Sequence, residues 1–304
     1  MCNQDNQVLI CGSEIMSEVT AQQNNTEIQT ESTLFAEPIL HVGNFTVTNS
    51  LIMSWITVAI LVTFFVLVGK SARGGSASGG KIGRKKMSGV QNIFEILLEQ
   101  ALNLADSVTG SRKKTGKFLP VVLSLFLFIL VNNWLGLLPG VGTVGFVETG
   151  AHGKVFIPFL RGATADLNTT LAISLFAVIL SHILGVVWVG AWNHFNKFFN
   201  FKAFGQIFKK GRHEPILIMV NPIKAFVGLI EVVGEIAKIA SLSLRLFGNI
   251  FAGEVLLASM MAISAFLLPI PFMFLELIVG IVQALVFAIL TLAFMSIATT
   301  AEEH

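Results

Sequence analysis

Residues 222–268 have the sequence PIKAFVGLIEVVGEIAKIASLSLRLFGNIFAGEVLLASMMAISAFLL, which keeps a helical repeat over all 47 positions. A continuous helix of this length would measure about 70 Å, whereas the hydrocarbon core of a bilayer is roughly 30 Å thick. Leu268-Pro-Ile-Pro271 then interrupts the pattern, since proline blocks helix continuation, and residues 272–299 form a second apolar arm. The pattern predicts a long, strongly tilted helical hairpin.

The composition places the chain in a membrane. Of its 304 residues, 54% are hydrophobic and 12% are charged, with a mean hydropathy of +0.76, which is too apolar for soluble domains. The 20 Lys and Arg nearly balance 18 Asp and Glu, so the basic excess that nucleic-acid binding requires is missing. The two cysteines, Cys2 and Cys11, build neither a disulfide scaffold nor a four-ligand metal site.

Apolar spans alternate with charged loops in the first part of the chain. Residues 1–48 contain acidic residues but no Lys or Arg, which predicts an external acidic tail rather than a basic targeting sequence. A transmembrane helix follows at 49–69. The loop 70–117 is basic and therefore cytoplasmic by the positive-inside rule. Within it, apolar residues at helical spacing predict an amphipathic surface helix over 90–109.

A transmembrane helical hairpin is predicted over 118–192, joined by an external loop, 139–170, that has few basic residues. The loop 193–221 is basic and returns the chain to the cytoplasm, and 222–304 forms the tilted hairpin. The expected fold is an all-α integral membrane protein with three upright transmembrane helices, one cytoplasmic amphipathic helix and the C-terminal hairpin.

Ionisable residues occur inside this hairpin, where each costs roughly 2.5–3.5 kcal/mol on insertion scales and therefore needs a partner or a function. Helical phase places most of them on one polar stripe, with Glu254 on the opposite face, while Gln283 shares a face with Glu276 on the second arm. The stripe and its neighbours are Lys224, Glu231, Glu235, Lys238, Ser241, Arg245 and Asn249.

Two readings of these charges remain open. Lys224, Glu235 and Lys238 are explained by solvation or i,i+3 pairing at the interface. Arg245 and Glu254, like Glu276, lie among apolar residues, which favours a role in transport. His182, in the middle of a span, is either a proton relay or a helix-packing residue.

Two glycine-containing stretches resemble nucleotide-binding motifs, but the residues around them do not fit a nucleotide-binding site. Gly140-Val-Gly-Thr-Val-Gly145 matches a dinucleotide fingerprint, but it follows the end of a membrane span instead of a strand. Gly69-Lys70-Ser71 lacks the first glycine of a phosphate loop, since Phe64 occupies that position. We therefore expect no cofactor and no nucleotide site, and no nucleophile–base pair or metal cluster indicates an enzyme.

The segment Ser241-Leu-Ser-Leu-Arg-Leu-Phe-Gly-Asn-Ile-Phe-Ala-Gly-Glu254 resembles subunit a of the F-type ATP synthase. The resemblance extends over residues 38–304, whereas the tail before it has no counterpart. Further matches are Asn133-Trp-Leu-Gly-Leu-Leu-Pro139, Ala165-Asp166-Leu-Asn168-Thr-Thr, Glu231, Gln283 and Ala301-Glu-Glu-His304. In one departure, Glu276 stands near a position where family members often carry histidine.

The resemblance implies a non-catalytic stator subunit that lies in the membrane against a ring of c subunits and contacts the peripheral-stalk b subunits. Arg245 would be the fixed cation facing the c-ring carboxylates, a role that suits a guanidinium because it stays charged at low dielectric. The transported ion would be H+ or Na+. The basic loops and the absence of a transit peptide favour a bacterial plasma membrane, with the N-terminus outside.

Helical phase and family likeness together suggest two half-channels. The external one would contain Glu254, Glu276 and Gln283, with Asp166 and Asn168 from the external loop, and the two glutamates would share a proton. The cytoplasmic one would contain Glu231 and Ser241.

Two other classes of membrane protein are alternatives. A secondary transporter predicts repeated halves, which the sequence lacks, and a purely structural subunit predicts that Arg245 can be exchanged without harm.

Overall fold

A computed structural model describes residues 34–43, 45–73, 89–150, 153–192, 216–264 and 267–300. Most of the acidic tail, the basic run 84–86, the loop 193–215 and the closing residues 301–304 lie outside the described residues. So does the Lys224 side chain. The elements in chain order are β1 (Pro38–Val42), β2 (Phe45–Thr48), α1 (Asn49–Arg73), α2 (Gly89–Thr109), α3 (Arg112–Gly136), β3 (Pro139–Gly142), β4 (Gly145–Gly150), β5 (Gly153–Pro158), a 3-10 turn (Ala163–Ala165), α4 (Leu167–Val189), α5 (Ile216–Ile263) and α6 (Pro269–Ala298).

Five helices in the described part of the chain, α1, α3, α4, α5 and α6, are long and apolar enough to cross a membrane. This confirms the all-α membrane fold. Many large apolar side chains on these helices, such as Val62, Ile183 and Phe274, are exposed, as expected for helices that face lipid. The loop between α3 and α4 adds the antiparallel pair β4–β5, which the sequence analysis did not anticipate.

The long helix α5 spans 48 residues without a break. It begins at Ile216, so the prediction that Pro222 starts the helix and that 216–221 belong to a loop is wrong. Residues 216–220 are apolar and extend the helix upstream of the proline. The second arm, α6, begins with Pro269 in its first turn, where a missing N–H costs no intrahelical hydrogen bond.

Four helices meet in one apolar core. Leu125 and Ile129 of α3 pack with Ala177 and Val178 of α4, Leu242 and Leu246 of α5, and Ala284 and Phe287 of α6. A second core joins α2, α3 and α6 through Ala105, Phe118 and Leu292. The apolar face of α2 thus packs partly on protein, although Leu104, which belongs to the same sequence pattern, is exposed. These contacts hold α5 and α6 side by side.

Candidate functional site

Arg245 lies on the exposed face of α5, while Leu242 and Leu246 anchor the opposite face in the core. Its Nη2 donates to Ser241 Oγ at 3.4 Å, one helical turn away. Among the residues that the structure describes, no carboxylate forms an ion pair with Arg245. The helix therefore presents a permanent cation at its surface.

A cavity of about 270 Å³ extends from this cation along α5. Its polar lining comes from Arg245, Ser241 and Lys238, and its opposite wall from Leu290 and Phe294 of α6. On α5 the cavity runs from Arg245 to Gly234, about three helical turns. Water and protons in it would contact the arginine directly.

Glu254 is paired with Arg161, one of the few basic residues of the loop 139–170. The guanidinium Nη2 lies 3.4 Å from Glu254 Oε2, and Nε donates to the same oxygen at 3.4 Å. Arg161 also donates from Nη1 to the Phe35 carbonyl at 3.3 Å. Arg161 is only 8% exposed. In the sequence, Arg161 could have been singled out because it is an arginine in a loop that is poor in basic residues, five residues before Asp166.

Glu276 is buried on α6, where its carboxylate lies against the backbone of α5 at Gly253. A Cβ at position 253 would stand 2.2 Å from Glu276 Oε1, so only glycine leaves room for the carboxylate in this position. The residue next to this glycine is Glu254. The structure therefore brings the two predicted external carboxylates to the same crossing of α5 and α6.

Asp166 is buried and caps the first turn of α4. Its Oδ2 accepts from Ser50 Oγ at 2.9 Å and Thr169 Oγ1 at 3.0 Å, while its Oδ1 accepts from the backbone N–H groups of Asn168 and Ala36. Asn168 contributes this backbone contact, and the residue itself is exposed. These bonds join α1, α4 and the N-terminal segment, so Asp166 orders the end of the site at the start of α4.

Two residues of the Asn133–Pro139 motif hold α6 in place. Asn133 Nδ2 donates to the Gly280 carbonyl at 3.1 Å, and Trp134 Nε1 donates to the Leu277 carbonyl at 3.4 Å. Both carbonyls lie on the turn that follows Glu276. Asn133 and Trp134 therefore set the rotation of the α6 face that carries Glu276 and Gln283.

The remaining predicted residues lie along the two long helices. Gln283 is half-buried on α6, two turns after Glu276, and Asn249 is exposed on α5, one turn after Arg245. Glu231 is half-buried near the start of the apolar part of α5. All three stay predicted proton-path residues.

His182 of α4 contacts Glu235 of α5, a pairing that the sequence did not reveal. His182 Nε2 lies 3.2 Å from Glu235 Oε2, and Lys238 Nζ donates to Glu235 Oε1 at 2.7 Å. Lys238 also lies over the ring of Phe294, 5.1 Å from its centroid. The i,i+3 pairing expected for Glu235 and Lys238 is thus present, with a histidine from a neighbouring helix added to it.

The sequence matches the ATP synthase A chain family over residues 51–296. It is 36% identical over 220 residues to ATP synthase subunit a of Mycobacterium tuberculosis, covering 71% of this chain and 76% of the relative. It is 32% identical to that of Syntrophobacter fumaroxidans, covering 68% and 70%, and 28% identical to that of Moorella thermoacetica, covering 85% and 94%. The chain belongs to the ATP synthase A chain family, that of subunit a of the F-type ATP synthase.

Proposed function

We propose that this membrane subunit of a proton-translocating F-type ATP synthase forms two half-channels and supplies the fixed cation that faces the rotating c ring. Arg245 is that cation. Each ring carboxyl group gives up its proton on one side of Arg245 and takes up another on the other side. Because the guanidinium stays charged, it favours the ionised carboxylate and blocks a direct leak between the two half-channels.

The exposure of Arg245 carries this proposal. An unpaired cation in a membrane-spanning helix is costly, and within the described residues this one has a hydroxyl neighbour but no carboxylate. A carboxylate on another subunit, approaching the exposed face of α5, would neutralise it. The c ring offers such a partner, and the peripheral-stalk b subunits would hold the chain against it.

The external half-channel contains Glu254 and Glu276, with Gln283 further along α6. The crossing at Gly253 brings the two carboxylates close together, and a pair of neighbouring carboxylates shares a proton readily. Asp166 and Asn168 support the outer end of this path through their hydrogen bonds. The cytoplasmic half-channel begins at the cavity beside Arg245 and Ser241, and includes Glu231 and His182.

The domain organisation follows from this arrangement. The N-terminus lies outside a bacterial plasma membrane and the basic loops inside, with α5 and α6 as the tilted proton-conducting hairpin. The coupling ion is H+ or Na+. A proton that crosses 100 mV releases about 2.3 kcal/mol, so several must pass for each ATP formed.

ATP-driven proton pumping tests the proposal. Two sets of membrane vesicles carry the assembled synthase, one with the wild-type chain and one with Arg245→Ala. A fluorescent pH dye measures proton pumping in both. We expect Arg245→Ala to abolish pumping while the c ring still copurifies with the complex. Normal pumping by Arg245→Ala would contradict the proposal and favour a purely structural role for this residue.

A further inference from the structure

A second cavity, of about 480 Å³, lies where the start of α3 meets the end of α4. It shares no lining residue with the cavity beside Arg245. Its lining, which we call the lysine pocket, combines a hydroxyl and three ammonium groups from the start of α3 with two apolar side chains from α4: Ser111, Lys113, Lys114, Lys117, Val187 and Trp188.

The lysine pocket is strongly positive. Among the residues that the structure describes, no carboxylate lines it, and the nearest acidic residue along the chain, Asp106, is paired with Arg112. The Lys117 ammonium group lies over the ring of Trp188, 4.6 Å from its centroid, so it points across the pocket to α4. The first turn of α3 contains no acidic residue, so the helix dipole adds to the positive potential. Such a cavity attracts an anion.

The position of the pocket in the membrane restricts which anion can occupy it. Both helices are long and apolar enough to span a bilayer, and the pocket lies where α3 begins and α4 ends. The pocket therefore lies at a boundary between membrane and water, which is where phospholipid headgroups are found and where tryptophan is enriched. The phosphate groups of anionic lipids lie at the same depth as the three ammonium groups.

An exposed apolar stripe continues from the pocket along α4 into the membrane. Its members are three or four residues apart and between 47% and 72% exposed: Phe176, Ile179, Ile183 and Val187. The stripe covers about 16 Å along the helix axis, which is about half of the roughly 30 Å hydrocarbon core. One acyl chain of a lipid held at the pocket can therefore lie along the whole stripe.

We propose that the lysine pocket binds the phosphate headgroup of an anionic phospholipid, one acyl chain of which lies along the α4 stripe. A soluble phosphate compound would contact the lysines but not the stripe. A zwitterionic lipid would contact the stripe but brings no net charge to the lysines. The competing explanation is that the lysines only attract the anionic membrane surface in general, as basic residues beside a span do. The proposal is independent of the role of Arg245.

Photolabelling in liposomes that contain the whole synthase tests the proposal. The liposomes consist of phosphatidylcholine with a trace of a photoreactive probe, which is either phosphatidylglycerol or phosphatidylcholine with the same acyl chains. Mass spectrometry locates and quantifies the labelled peptides. We expect the phosphatidylglycerol probe to label α4 at least about tenfold more than the phosphatidylcholine probe, since each lysine near a membrane surface favours anionic lipid about fivefold.

A variant that combines Lys113→Gln, Lys114→Gln and Lys117→Gln should label α4 equally with the two probes. The matched control replaces the three residues of the basic run 84–86 by glutamine, which removes the same charge from the same basic loop, 70–117. We expect this control to keep the labelling of the wild type. An equal loss of labelling in both variants would overturn the proposal in favour of a general attraction.

The wild-type complex decides if the lysine variant fails to assemble, because equal labelling of α4 by the two probes overturns the proposal without any variant. A further arm of the experiment adds glycerol phosphate to the solution. We expect it to leave the labelling by the phosphatidylglycerol probe unchanged. Loss of that labelling would assign the pocket to a soluble phosphate compound and overturn the assignment to a lipid.

Discussion

The guanidinium of Arg161 lies 3.4 Å from the carboxylate of Glu254, although 93 residues separate them in sequence. Arg161 approaches from the loop between α3 and α4 and Glu254 projects from α5, so the pair fixes this loop to the helix that carries Arg245. The same guanidinium holds the Phe35 carbonyl. One buried side chain thus connects the N-terminal segment, the loop between α3 and α4 and the proposed external half-channel.

Replacing Arg161 should reduce proton flow. Arg161→Gln keeps a polar side chain but removes the charge that orients Glu254, so we expect ATP-driven pumping to fall about tenfold with the complex still assembled. Arg161→Lys retains the charge but lacks the forked geometry of the guanidinium. Its pumping rate should lie between those of the wild type and Arg161→Gln. The measurement is dye-monitored pumping, normalised to the amount of complex. Equal rates for all three chains would show that the ion pair is dispensable.

A side chain at position 253 should displace the Glu276 carboxylate. In Gly253→Ala the new Cβ would overlap the carboxylate, so either Glu276 leaves its site or α5 and α6 separate. We expect proton pumping to drop at least about tenfold. Gly116→Ala is the control, because a Cβ at that exposed glycine of α3 meets no atom within 4 Å. Pumping by Gly253→Ala at the control rate would contradict the proposed role of this crossing.

Asn133 should contribute mainly to stability. Its side chain donates to the Gly280 carbonyl in a buried contact between α3 and α6, and such interhelical bonds in membranes are worth about 0.6–2 kcal/mol. Asn133→Ala should therefore lower the midpoint of thermal dissociation of the purified complex. Ser124→Ala is the control, since Ser124 is exposed and bonds within its own helix. A dissociation midpoint equal to that of the control would show that this hydrogen bond does not stabilise the complex.

Within the acidic tail, residues 34–37 should contribute more to pumping and stability than residues 2–33. Residues 34–37 bond to Arg161, Asp166 and Asn49, for example through the 3.3 Å contact between Ala36 N and Asp166 Oδ1. Deleting residues 2–33 should leave pumping near the wild-type rate, whereas deleting residues 2–37 should lower both pumping and thermal stability. Identical behaviour of the two truncations would remove any role for residues 34–37.

Much of the site could be predicted from sequence because helical phase is local. The positions of Arg245, Ser241 and Asn249 on one exposed face of α5 follow from their spacing, and the structure keeps them there. Glu254 and Glu276 were predicted as neighbours from family likeness, and the contact at Gly253 explains how they approach. Asp166 stays a predicted proton-path residue, and the structure adds the hydrogen bonds that it accepts from Ser50 and Thr169.

Hydropathy and the distribution of Lys and Arg were enough to establish a membrane protein with a long C-terminal helical hairpin. In lipid, each backbone polar group must be satisfied within its own helix, so apolar length alone dictates a span. The partners of the charges depended on packing instead. His182 meets Glu235 because the apolar core packs α4 against α5, and Arg161 meets Glu254 because the loop before α4 packs against α5. Pairing across such distances is a property of the assembled helices, since residue spacing specifies only which face of its own helix a side chain occupies.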